Sequence, residues 1–216
     1  MEFFILKGMR TISPKTLRNK SALRAVPDVP GWYRFWAPGP VVKELLGDFY
    51  QSLRPGLTAG RGRLSGYYYV YVGIAAKESV RDRLDWHINQ RHSYSAVKSG
   101  FLSTFRTSLS SLAACDQSDE NCTDRLIDEM LVEYEALENT GYENRKNMEK
   151  PEKARIDRAT AMRLKEIEGR EMSRNMLPVN IQGQPNRILK TGFTRHLAAA
   201  RKIGKAAGCR RLGPKS

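Results

Sequence analysis

The run YYYVYVGIA at Tyr67–Ala75, followed closely by SVRDRLDWHIN, constrains this chain more than any other stretch. Aromatic and β-branched residues in that density favour a pleated strand, which Gly73 interrupts near its end. Four residues after that run comes Ser79, with Asp82 three positions on, a pairing that reads as a capping box opening a helix. Val80, Leu84 and Ile88 then make an apolar stripe, with Arg83 and His87 one turn apart beside it. The fold must therefore bring tyrosines at a strand end, a glycine and a cationic helix face together. A strand serving only as core needs no such polar neighbours.

The remaining elements are read around this unit. GWYRFW, bracketed by Pro27, Pro30 and Pro38, predicts another strand. VVKELLGDFYQSL places Val41, Val42, Leu45, Leu46 and Phe49 on one helical face, and the glycine-rich RPGLTAGRGRLSG predicts a loop. SAVKSGFLSTFRTSLSSL predicts an amphipathic helix with Phe101, Leu102, Phe105, Leu109 and Leu112 inward. DRLIDEMLVEYEAL fits either a short helix leading into a strand at Met130–Leu137 or one continuous helix. ARIDRATAMRLKEIEGREMSRNM predicts a long helix ended by the turn LPVNIQGQPN, and FTRHLAAARKIGKAAG a basic helix stopping at Gly208. The expected fold is α/β (α+β): a small, mainly antiparallel three-stranded sheet flanked by helices. Residues 1–26 are expected to be a basic arm, 27–186 the folded domain with an insertion at about 110–160, and 187–216 a basic helical tail.

Of the 216 residues, 40% are hydrophobic, enough for one core. No apolar run approaches the roughly 20 residues that span a bilayer, and the N-terminus lacks the pattern of a signal peptide, so a cytoplasmic location is expected. The net charge is +14, which favours polyanionic partners. The charge is unevenly spread. Met172–Ser216 contains no acid, residues 1–26 contain only Glu2, and Asp116–Glu138 is dominated by carboxylates. Cys115, Cys122 and Cys209 form no CxxC pair, which predicts neither a disulfide framework nor a zinc site, with a Cys115–Cys122 redox pair as the lesser alternative.

Hydrolysing a phosphodiester needs a group to take a proton from water, cationic or metal stabilisation of the charged transition state, and neutralisation of the leaving oxygen. The ordered set GWY at Gly31–Tyr33, YVG at Tyr71–Gly73, Arg83-x-x-x-His87, Glu168 and Pro178-x-Asn180 resembles the signature of the GIY-YIG nucleases. The resemblance runs from about Val29 to Asn186 and is loose between Gln90 and Lys165. Trp32 departs from the aliphatic residue usual in the first half. Arg81 competes with Arg83 for the arginine position, and Glu166 and Glu171 compete with Glu168.

The resemblance implies that Tyr33 activates or orients the attacking water, that Tyr71 lines the same pocket and that Arg83 stabilises the scissile phosphate. His87 or Lys77 would assist the phenol, Glu168 would ligate one divalent ion, Mg2+ or Mn2+, and Asn180 would hold its turn near the site. Gly31 and Gly73 would support the two strands. Arg61, Arg63, Arg187, Lys190, Arg195, Arg201 and Lys202 are the expected DNA contacts. The expected activity is a metal-dependent endonuclease acting on double-stranded DNA, with restriction as one role and a homodimer as one assembly that the resemblance allows. The rival readings are a non-catalytic nucleic-acid binder on the same core and a basic interaction protein that docks through its acidic segment.

Overall fold

The computed structural model describes residues 9–137, 148–180 and 192–213. Its centre is one antiparallel sheet of four strands: β1 (Arg10–Ile12), β2 (Gly31–Pro38), β3 (Tyr67–Ala75) and β4 (Leu131–Ala136), in the order β1-β4-β2-β3. The mixed class and antiparallel sheet are as the sequence implies, but there is one more strand than expected. The additional strand is β1, from the stretch read as an arm. It pairs Arg10 to Ile12 with Tyr134 to Val132 and covers the free edge of β4, which would otherwise present unpaired backbone groups. Two short helices, α1 (Pro14–Leu17) and α2 (Lys20–Arg24), follow. Leu17 is fully buried and Val26 nearly so. From residue 10 onward the basic N-terminal stretch is thus part of the body, anchored by apolar side chains too sparse to give a clear period.

After β2, Pro38 leads without a loop into α3 (Gly39–Leu46), and α4 (Tyr50–Leu53) completes that crossover. Val41, Val42, Leu45 and Leu46 are buried as their spacing predicts. Beyond β3 come α5 (Val80–Asn89), α6 (Tyr94–Ser99), α7 (Thr104–Leu112) and α8 (Glu120–Asp128). The single helix expected around residues 95–112 is two, because Gly100 adopts a left-handed conformation (φ 75°) that ends α6. Phe101, expected inward, falls in that break and is exposed. Strand β4 settles the 124–137 ambiguity in favour of helix then strand. It is also an inner strand, paired with β1 and β2, although it falls inside the stretch expected to be an insertion.

Two long helices close the molecule, α9 (Lys150–Arg174) and α10 (Phe193–Leu212). Gly208 does not stop α10, which runs on to Leu212. A Cβ there would press on the backbone of Gln117 and Ser118, so this glycine lets the 115–118 loop approach the helix. Cys115 and Cys122 are joined across the start of α8, contrary to the sequence expectation, because the turn between α7 and α8 folds them together. No described helix is long and apolar enough to cross a membrane.

The sheet separates two cores. One holds Tyr33, Phe35, Tyr71, Leu84, Ile88, Phe105 and Leu109; the other holds Trp32, Trp36, Tyr69, Val72, Leu164 and Ile167 under α9. If the N-terminal segment is integral, Leu17→Ala should lower the urea-unfolding free energy by about 2–5 kcal/mol, as for other buried leucines. A change within experimental error would return it to the status of an arm.

Candidate functional site

A bulge aims the tyrosines. Phe35 lies opposite Tyr71 but Trp36 lies opposite Tyr69, so Val70 is the extra residue on β3. Without it, tyrosines 67, 69 and 71 would share one face by strict alternation. With it, Tyr67 and Tyr69 turn towards α9, while Tyr71 turns to the opposite face, beside Tyr33. The rings of Tyr33 and Tyr71 are 6.4 Å apart, centroid to centroid.

Both strand glycines are required by close approach. Gly73 is the register partner of Tyr33, and a Cβ on it would occupy the space of the Tyr33 phenol. A Cβ on Gly31 would run into the backbone of Glu135 on β4. Trp32 points to the other face, where its indole N–H donates to Glu135 Oε2 at 2.9 Å. The departure at Trp32 therefore leaves the tyrosine face untouched.

Helix α5 lays its polar edge against this pair. The capping box forms as predicted, with Ser79 accepting from the Asp82 amide and the Asp82 carboxylate accepting from Ser79 N–H. His87 is buried, and its Nε2 lies 2.6 Å from Tyr33 Oη. Arg83 is half-buried, ion-paired to Glu78 at 2.9 Å and stacked 4.5 Å from the Trp86 ring centroid. Arg81 points elsewhere. Its guanidinium donates to the carbonyls of Val26 and Arg24, tying down the segment before β2. Arg83 is thus the arginine that reaches the tyrosines.

The carboxylates sort in the same way. Glu166 is exposed, and Glu171 accepts from Tyr69 Oη on the opposite face. Glu168 is half-buried, and its charge is felt by Tyr33, Tyr71 and Arg83. Burial raises the Glu168 carboxyl above the usual range, while Arg83 and Lys165 act against that rise. Asn180 pairs both ways with β3: its Oδ1 accepts from Val72 N and its Nδ2 donates to Val72 O, each at 2.8 Å. Together with the Val179 N–H bond to Val70 O, this fastens the turn after α9 to the outer edge of β3.

Burial sets the protonation of the cluster. It raises the Tyr33 phenol well above 10, aided by Tyr71 and opposed by Arg83. It pushes Tyr71 up to about 12. It also drives His87 well below 6.5, and the charges of Arg83 and Arg106 add to the fall. The result is a protonated phenol against a neutral imidazole. Two polar atoms beside the pair, Arg83 Nε and His87 Nδ1, are buried with no hydrogen-bond partner. Orphans of this kind are uncommon, because each costs about 1–3 kcal/mol.

Arg106 was not singled out by sequence reasoning. It is fully buried, donating to the carbonyls of His87 (3.1 Å) and Ile88 (3.0 Å), to His92 Nε2 (2.8 Å) and to Asp124 (2.6 Å). It thus caps the last turn of α5 and locates His87. Its position amid Phe105 and Leu109 gave no sequence signal, since an arginine on an amphipathic helix normally faces solvent. His92 is buried and neutral, held at about 4 by burial and by Arg106.

The expected DNA-contact residues are dispersed. Arg61 and Arg63 are exposed in the loop before β3, Arg195 and Lys202 are exposed on α10, and Arg201 is half-buried there. Lys77 is exposed in the turn between β3 and α5. Arg187 and Lys190 lie outside the described residues.

A buried histidine that must stay neutral makes the fold acid-sensitive. The unfolded chain binds a proton near pH 6.5, whereas folded His92 binds one only near 4. Stability from this residue is complete above pH 6.5 and lost as the pH falls towards 4. Urea titrations across that range should show the decline, and His92→Gln should lessen it, leaving the part that comes from the equally neutral His87.

Comparison with known families agrees with this geometry. Residues 62–203 match the GIY-YIG catalytic domain. The matched span contains Tyr71, Gly73, Arg83, His87, Glu168 and Asn180, while Gly31 and Tyr33 lie outside it, on β2, with α3 and α4 between. No curated protein and no solved structure matches the chain. With about two thirds of its length covered by that match, the chain belongs to the GIY-YIG family and carries its nuclease-type catalytic domain.

Proposed function

We propose that the protein is a metal-dependent endonuclease that cuts duplex DNA at the Tyr33–Tyr71–Arg83–His87–Glu168 cluster. The observation that carries this reading is the Tyr33–His87 hydrogen bond set between two orphaned buried polar atoms. Arg83 Nε has a donor to give, and a non-bridging phosphate oxygen is the acceptor that suits it. His87 is neutral and can accept the Tyr33 proton at Nε2. The phenol oxygen is then able to take a proton from the attacking water as its own passes to the imidazole. Tyr71 closes the pocket wall, and Arg83 offsets the negative charge that builds on the phosphate.

Glu168 would hold the divalent ion. Among the described residues no group of three metal-binding side chains exists. The donor set therefore fits a hard cation that takes one carboxylate and fills its remaining positions with water and phosphate oxygens, as Mg2+ and Mn2+ do. When bound, such an ion would neutralise charge on the scissile phosphate and its leaving oxygen. Each chain has one such cluster, so cutting both strands calls for two chains or two binding events. A restriction-type role is compatible with the site, which carries no information about the bases read.

Plasmid DNA incubated with the protein and Mg2+ or Mn2+ should be nicked or linearised. Glu168→Gln should abolish cleavage while duplex retention in EDTA persists, and Tyr33→Phe should slow it by roughly 10²–10⁴, the usual contribution of a positioned proton-transfer group. Retention without cleavage by the wild type would establish a non-catalytic binder instead.

A further inference from the structure

The carboxylate of Glu168 is the only part of α9 that the proposed reaction uses, yet the helix runs on for about five turns to its N-terminal side. At 100° and 1.5 Å per residue, Lys165 lies about 60° around the axis from Glu168 and Arg158 about 80°, both in the same direction. They are about 4.5 Å and 15 Å back along the helix, a span of roughly four phosphates on one strand of a duplex. Both side chains are exposed. The acids Glu152 and Glu166 lie about 160° away from Glu168 around the axis. Asp157, close to Glu168 in direction, is half-buried towards the body. Arg170 and Arg174, equally exposed, lie on the other side, about 160° and 120° from Glu168 in the opposite sense.

From this arrangement we infer that the Glu168 flank of α9, through Arg158 and Lys165, is a docking surface that carries the backbone of duplex DNA into the cleavage site. The inference rests on the nuclease reading for the identity of the partner. It places the phosphate contacts on a helix continuous with the site, rather than on the termini where the sequence concentrates its charge. The occupant is a polyanion because the flank presents cations with no exposed acid among them. It is a duplex because the two cations project within about 20° of one another from a single rigid helix, a fixed pair that suits the stiff backbone of a double strand.

The test measures binding and needs no catalysis. Affinity for a short labelled duplex is followed in EDTA over a series of salt concentrations with the full chain, with circular dichroism confirming that each variant folds. Removing two phosphate contacts should reduce the slope of log K against log salt by about 2, since each contact contributes about 0.9. Arg158→Ala/Lys165→Ala should show this loss. Arg170→Ala/Arg174→Ala, which removes the same charge from the opposite flank of the same helix, should keep the wild-type slope. Equal losses in both variants, no loss in either, or a difference seen with single-stranded oligonucleotide but not with duplex would overturn the proposal. A protein that shows the slope difference but never cuts DNA would retain this surface and lose the nuclease reading, so the two failures are distinguishable.

Discussion

The missing side chain at Gly73 is the constraint on which the site is built. On an ordinary antiparallel pair, the residue opposite Tyr33 would carry a Cβ and push the phenol outward. With hydrogen in its place, the ring of Tyr33 lies down across β3 and reaches His87 on the next helix. The bulge at Val70 then brings Tyr71 to the same face, and α5, started sharply by its capping box, lays Arg83 and His87 alongside. Each feature is local, but only together do they enclose a neutral imidazole, a protonated phenol and two unpartnered polar atoms.

Charge is arranged on a similar principle. The acidic stretch from Asp116 to Glu138 reads in the sequence as a surface for docking a partner. In the fold much of it serves as internal counter-charge. Asp124 pairs with Arg106 and Arg18, Asp128 with Arg18, Glu133 with Arg34, Glu120 with Arg91 and Asp116 with Arg211. Glu133 also accepts from the Trp36 indole and from Thr11. Glu133, the buried carboxylate of this set, ties β1 and β2 to β4, and removing its arginine would leave an uncompensated charge. The buried network at Arg106 shows the gain in precision. One planar guanidinium ties together the end of α5, the start of the segment after it and α8, and so fixes where His87 can be.

The parts legible from sequence were those governed by short-range rules. Strands β2 and β3, the capping box at Ser79–Asp82, the Val80–Leu84–Ile88 stripe and the burial of α3 followed from periodicity and local chemistry. The ordered motif also named Tyr33, Tyr71, Arg83 and His87, which lie beside one another, and Glu168, whose charge acts on the two tyrosines. Other features were not legible, for identifiable reasons. β1 is three residues long and is a strand only because β4 supplies its hydrogen-bond partners. Phe101 is exposed because a left-handed glycine breaks the helix before it. Gly208 continues α10 because its role is contact with a loop, which a local rule for helix ends cannot anticipate.

What the sequence determined alone was which residue types stand at which spacing: a tyrosine two positions before a glycine, an arginine four before a histidine, a glutamate twelve before an asparagine. What only the tertiary structure decided was which of several equivalent candidates points inward. Arg81 and Arg83 are two residues apart on one helix, and Glu166, Glu168 and Glu171 lie within two turns of another, so composition and spacing treat them almost alike. The choice between them depends on direction around a helix axis relative to a sheet face, and that direction is set by contacts between segments from 54 to 102 residues apart.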